Sequence, residues 1–195
     1  MWFRNKSCLS LLLISLWGLN HVTAQREFSN AFQKGIVLLD LHSSLGIYRK
    51  ADKNFLSTRL PIFIGAEYGL TNQISAGLFG GWNQRSYKPP GSLIYDVNYY
   101  YYGLRFNFHL TELLSNKTAL KLEPSRFDLY AGLWAGRQTA KTLTFSGLGF
   151  NNSGAVNLAG IHLGARIYTL YRVAVMAEIG LCPYGVLNIG IATRL

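Results

Sequence analysis

Asp40, His42 and Ser44 stand at alternate positions of one segment, and their types invite a chemical reading. At period two they share one face of an extended strand. A carboxylate, an imidazole and a hydroxyl are the orienter, base and nucleophile of acyl-transfer chemistry. Such a set is defined by three-dimensional geometry and not by spacing, so the competing reading is a row of polar residues turned to a polar interior. His109 and His162 also fall in strand-like sequence. A metal centre would need further His or carboxylate ligands converging on them. No such cluster is legible, so both read as hydrogen-bonded interior histidines, and neither a metal nor a cofactor is expected.

The elements that hold these residues are strands. The stretch EYGLTNQISAGLFGGW, Glu67 to Trp82, alternates large apolar residues with glycine and small polar ones on both sides of a polar break. Of 195 residues, 49% are hydrophobic and only 14% charged, far below the roughly 25% charge of soluble domains. Eight segments alternate in this way: 35–48, 59–70, 73–84, 96–110, 126–137, 157–169, 172–182 and 186–195. Each has about the length of a tilted membrane-crossing strand. No run after Gln25 is long and apolar enough for a transmembrane helix.

The face opposite the apolar one decides what the apolar face meets. A soluble lipocalin-like barrel also alternates, but hides its apolar face and covers the outside with charge. Here no strand interior carries a lysine, and the second face is mostly Gly, Tyr and Asn with isolated Asp, Glu, Arg or His. Glycine is useful inside a narrow barrel, where it makes room for large neighbours. The reading is an all-β, eight-stranded antiparallel up-and-down transmembrane barrel. Ile62, Ile64, Leu78, Leu104, Leu133 and Leu163 should face lipid, while Phe63, Phe79, Tyr130 and Trp134 fill the lumen. Tyr99 to Tyr102 reads as an aromatic girdle at the membrane boundary with its alternate members turned inward. A carbohydrate or headgroup platform is the other reading of the same run.

The first 24 residues stand apart. Arg4 and Lys6 precede the apolar run Leu9 to Trp17, and Val22-Thr23-Ala24 supplies a cleavage site. That is the form of a signal peptide, leaving 25–195 as the barrel domain. Its removal lowers the formal charge from +10 to +8, since Arg4 and Lys6 leave and no acid does. It also leaves Cys182 without a partner for an intrachain disulfide. With the termini in the periplasm, the connections around RKADKNFLS, NQRSYKPPGSLIY and QTAKTLTFSGLGFNNSGAVN lie outside. Thr71-Asn72-Gln73 and Thr169-Leu170-Tyr171 are then the short periplasmic turns. TELLSNKTALKLEPS, 111–125, is long for such a turn, and its apolar spacing suits a short helix. The outer connections are basic through Arg49, Lys50, Lys53, Arg59, Arg85 and Lys88. Cations of this kind suit phosphorylated lipopolysaccharide, although plain solvation explains them equally. The strands offer no basic stripe for nucleic acid.

On the phrases GAEYGLTNQISAG, YYYYGLRFNFHL and LAGIHLGARIY, the chain resembles the small eight-stranded outer-membrane β-barrels of OmpA and OmpX type from Gram-negative bacteria. The resemblance covers Gln25 to Leu195 and rests on pattern. It implies an outer-membrane location, a structural or surface-interaction role without catalysis, contact with outer-membrane lipid, insertion by the barrel-assembly machinery, and a monomer. The chain departs from the family in ending Thr193-Arg194-Leu195, where an aromatic residue is usual. Lipid A deacylases of the same membrane carry a His and a Ser two apart on a strand, as His42 and Ser44 are, so a lipid-modifying enzyme is the alternative. Those sites open toward lipid, whereas parity turns Asp40, His42 and Ser44 inward.

Glu67, Arg105, Arg166 and Glu178 also have inward parity, and each lies some way in from the periplasmic end of its strand. AEYGL around Glu67 recurs as AEIGL around Glu178. Charges in a narrow lumen are costly unless paired. A belt joining Glu67 and Glu178 to Arg105 and Arg166 is therefore expected, with Asp40 and His109 at its margin.

Overall fold

A computed structural model describes residues 30–45, 55–88, 90–91, 94–117, 123–143, 154–182 and 185–195. The expected signal peptide and the cations Arg49, Lys50 and Lys53 lie outside them. The strands are β1 (Val37–Leu45), β2 (Phe55–Thr58), β3 (Ile62–Gly69), β4 (Ile74–Tyr87), β5 (Tyr95–His109), β6 (Phe127–Leu143), β7 (Ala155–Tyr168), β8 (Val173–Cys182) and β9 (Gly185–Arg194). Eight of them close a ring, β1-β3-β4-β5-β6-β7-β8-β9, in which every neighbour is antiparallel and β9 returns to β1. The ninth, β2, is a short ribbon on the far end of β4.

The alternation works as an inside-out burial pattern. Ile62 and Ile64 are 50% and 61% exposed, while Phe63 between them is wholly buried. Leu78, Leu104, Leu133 and Leu163 are half or more exposed on the same outer surface. Arg105, Asn107, Arg166 and Glu178 are buried. A soluble barrel would invert this arrangement. Among the described residues the eight ring strands each pair on both sides, which is the condition for strands to cross a membrane.

Three expected strands are redrawn. The segment 59–70 is interrupted at Pro61, which has no N–H to give the ladder; β2 ends at Thr58 and β3 begins at Ile62. The break is anchored by Ser43 Oγ donating to Pro61 O at 2.7 Å and by Arg59 N donating to Gln84 O at 2.9 Å. The strands expected to end at 84 and 137 continue to Tyr87 and Leu143. Their upper parts carry polar residues on the outer face, so the pairing persists after the apolar alternation has stopped. β6 thus has 17 residues against 9 in β1, and the rim opposite the termini is taller over β4 to β7.

The long connection at the other end contains α1 (Thr111–Lys117). Thr111 Oγ1 accepts from Leu129 N at 2.6 Å, which seats the helix against the foot of β6. The segment 30–36 enters this end of the barrel. Its Phe32 ring lies flat on the His109 imidazole, with centroids 3.4 Å apart. Arg194 holds it from the other side, donating to the carbonyls of Asn30 (3.1 Å), Ser125 (3.4 Å) and Tyr171 (2.7 and 2.9 Å).

Candidate functional site

The polar residues of the strands converge in the lumen, which is filled at three heights. Lowest is the inserted segment, where Ala31 packs with Tyr168, Ala174, Met176 and Ala192, and Phe32 with Ile36 and Leu38. Highest is an aromatic layer of Phe63, Phe79, Tyr101 and Trp134, with Phe79 edge-on to Trp134 at 5.8 Å. Between them lies a layer of charge.

Glu67 is the centre of that layer. Its Oε1 meets Arg166 Nη2 at 2.5 Å and Arg105 Nε at 3.4 Å. Its Oε2 accepts from Asn107 Nδ2 at 2.7 Å and Ser75 Oγ at 2.9 Å. Arg105 also contacts Glu178 Oε1 directly and lies 4.0 Å from Asp40 Oδ2. Glu178 accepts from Tyr130 OH at 2.7 Å and from Asn188 Nδ2 at 3.3 Å. The Tyr130 ring lies beneath both guanidiniums, 4.2 Å from Arg166 and 5.7 Å from Arg105. Four carboxylates and two guanidiniums share this space. Hydroxyl, amide and imidazole groups meet further acceptor positions of Glu67, Glu178 and Asp128, while Asp40 Oδ2 has no hydrogen-bond partner among the described residues and only the Arg105 charge 4.0 Å away. Pairing of this kind is what a low-dielectric lumen demands of buried charge.

The layer brings Glu67, Arg105 and Glu178 together and adds Asp40 and His109 at its edges. Arg166 reaches Glu67, but its second carboxylate is Asp128, at 3.1 Å from Nη1, and not Glu178. Asp128 also takes His109 Nδ1 at 2.6 Å. Asp128 has the same inward parity as Tyr130 on β6, yet it is not among the residues expected in the belt. The signal was the register, which sets Asp128 directly opposite Arg166 across β6 and β7. Ser75, Asn107, Tyr130 and Asn188 were likewise inward-facing residues whose place in the network only their height reveals. His162 meets Asn107 Oδ1 at 2.8 Å and Arg105 Nη2 at 3.2 Å. Among the described residues no three His, Cys, Asp or Glu side chains are grouped to hold a metal ion.

Glycines make the layers possible. A methyl group on Gly65 would collide with the Asp40 carboxylate, one on Gly164 with the Tyr130 ring, and one on Gly81 with Phe63.

Asp40, His42 and Ser44 all turn into the lumen and are buried. Asp40 Oδ1 and His42 Nδ1 lie 2.7 Å apart, so an orienter and base do meet. His42 Nε2 and Ser44 Oγ each lack a hydrogen-bond partner among the described residues. The nucleophile–base hydrogen bond is therefore missing among the described residues. Of the basic residues expected in outer loops, Lys88 follows β4 and Arg59 lies at the break between β2 and β3, both exposed. Arg85 lies within β4; its Nε donates to Asn83 Oδ1 at 3.1 Å and its guanidinium covers the Tyr99 ring at 4.8 Å. The four-tyrosine run divides by parity: Tyr100 and Tyr102 are exposed outside, and Tyr101 is buried in the aromatic layer.

No protein-family model and no curated protein matches the chain. Solved structures similar to it include the N-terminal β-barrel domain of Pseudomonas aeruginosa OprF, at 11% identity, covering 84% of this chain and 99% of that one with a TM-score of 0.49. OprG of the same bacterium is similar at 10% identity, 84% and 97% coverage and a TM-score of 0.49. Ail of Yersinia pestis is similar at 17% identity, 83% and 95% coverage and a TM-score of 0.40. The fold itself rests on the closed ring of eight strands and its exposed apolar wall, which together make an eight-stranded transmembrane β-barrel.

Proposed function

We propose that the chain is an integral outer-membrane barrel with a structural or surface-interaction role, which neither conducts solutes nor catalyses a reaction. The filling of the lumen at three heights carries this reading. Phe63, Phe79, Tyr101 and Trp134 occupy the space a solute would need, and an eight-stranded barrel is only wide enough for its own side chains. The full burial of Ser44 argues against a lipid-modifying activity. Removal of residues 1–24, insertion by the barrel-assembly machinery and a monomeric state belong to the same proposal. So does attraction of phosphorylated lipopolysaccharide by the exposed outer cations Arg59 and Lys88, together with Arg49, Lys50 and Lys53.

The test combines membrane fractionation, heat-modifiability on gels and planar-bilayer recording. The expected result is an outer-membrane species whose gel mobility shifts on boiling and whose conductance is negligible. A soluble species without the shift would return the lipocalin-like alternative. Stable conductance of general-porin size would end the filled-lumen reading.

A further inference from the structure

We propose that the outer wall formed by β5, β6 and β7 retains a phosphorylated, multiply acylated glycolipid of the outer leaflet, with Arg137 and Lys141 on its phosphates. The proposal rests on the outer-membrane reading and names one lipid site on the wall, distinct from the loop cations. The outward positions of β6 run Leu129, Ala131, Leu133, Ala135, Arg137, Thr139 and Lys141. Apolar residues thus give way to cations ten positions above Phe127. At about 3.3 Å per residue and a tilt near 40°, that point lies roughly 25 Å up the wall, the height of the apolar band such barrels present. It is also the end opposite the termini and the short turns, where the outer leaflet meets water.

Arg137 sits in register between Tyr102 of β5 and Asn157 of β7, and Lys141 beside Asn98. Both cations are exposed, and neither has an ion pair or hydrogen bond among the described residues. Asp96, higher on the same wall, forms no ion pair with either cation among the described residues; its carboxylate oxygens accept instead from Gln84 Nε2 at 2.7 Å and Ser86 Oγ at 2.6 Å. A guanidinium at the hydrocarbon boundary with no ion-pair partner among the described residues is suited to an anion that the membrane supplies. Tyr100 and Tyr102, 42% and 49% exposed, offer the rings and hydroxyls that sugars pack against.

The wall beneath fits the rest of such a lipid. Ala135 and Ala159 face each other in register below Arg137, so the surface dips there. Deeper lies an apolar trough of about 870 Å³ that reaches from Ile74 of β4 to Val186 of β9 and is lined between them by Phe106, Leu133, Leu163 and Ile179. Strands lie about 4.8 Å apart, so a trough touching six of them spans roughly 24 Å. That breadth suits several acyl chains side by side better than the two of a glycerophospholipid, and it selects the glycolipid as occupant.

The experiment is native mass spectrometry of the full chain in zwitterionic micelles, with bis-phosphorylated lipid A, dephosphorylated lipid A and phosphatidylglycerol as separate probes. The expected result is retention of the phosphorylated lipid A above the other two. Arg137→Gln with Lys141→Gln should lower it roughly ten- to thirty-fold, as two cations at an anionic surface warrant. Ala135→Phe, which fills the dip and leaves both cations, should also lower it. Arg126→Gln at the periplasmic end should not. Equal retention by the double variant, or retention of either other probe at the level of the phosphorylated lipid A, would overturn the site. Heat-modifiability of each variant separates loss of the site from loss of the fold. A wild-type barrel that fractionates with the outer membrane yet retains nothing refutes this site alone, whereas a soluble wild-type chain refutes the outer-membrane reading with it.

Discussion

Arg166 Nη2 and Glu67 Oε1, 99 residues apart in the chain, meet at 2.5 Å in the lumen with neither side chain exposed. Each also has a second charged partner, Asp128 for Arg166 and Arg105 for Glu67. The pair is therefore a link in a network and not an isolated bridge. A network of this kind costs most when it is broken on one side.

Glu67→Gln should accordingly lower unfolding stability in detergent by roughly 3–5 kcal/mol, because it leaves two guanidiniums short of a carboxylate. Arg166→Met should cost a similar amount. The double variant should cost clearly less than the sum, and urea titration followed by tryptophan fluorescence would measure it. Strict additivity would mean the two side chains are solvated independently.

The outer wall gives a second expectation. Leu104 is half exposed on the membrane face of β5. Leu104→Arg should cost roughly 2–4 kcal/mol near the midplane. Leu78→Arg and Leu133→Arg should act in the same direction in refolding into bilayers. Neutral effects at all three would reverse inside and outside.

Arg194 clasps the carbonyls of Asn30, Ser125 and Tyr171 and stacks on the Tyr168 ring at 4.2 Å. Arg194→Leu should leave the strand ring closed but loosen the segment around Phe32. Limited proteolysis at the periplasmic end should then cut that segment faster, with the heat shift on gels preserved. An unchanged cleavage pattern would show that Phe32 stacking on His109 holds the segment unaided.

Ser44 offers a direct check on chemistry. Ser44→Ala should leave the acylation pattern of co-purified lipid A unchanged by mass spectrometry, because its hydroxyl is buried and makes no hydrogen bond with His42. Loss of a deacylated product in that variant would revive the enzyme reading.

Alternation is a property of neighbouring residues, so the sequence alone determined which side chains face lipid and which face the lumen. Ile62, Phe63 and Ile64 show it at single-residue resolution. The same local logic determined the inward turn of Asp40, His42 and Ser44, and the division of Tyr99 to Tyr102 between two faces. Height along the barrel axis is different, because it depends on the stagger accumulated over every strand pairing in the ring. Only the tertiary structure could decide that Arg166 takes Asp128 and leaves Glu178 to Arg105. The seating of residues 30–36 beneath His109 was equally closed to sequence reasoning, since a short irregular segment has no periodicity to read. The upper parts of β4 and β6 escaped for a related reason. Above the oil, backbone pairing sustains a strand without any apolar alternation to announce it, and it is there that Arg85 becomes a strand residue lying on Tyr99.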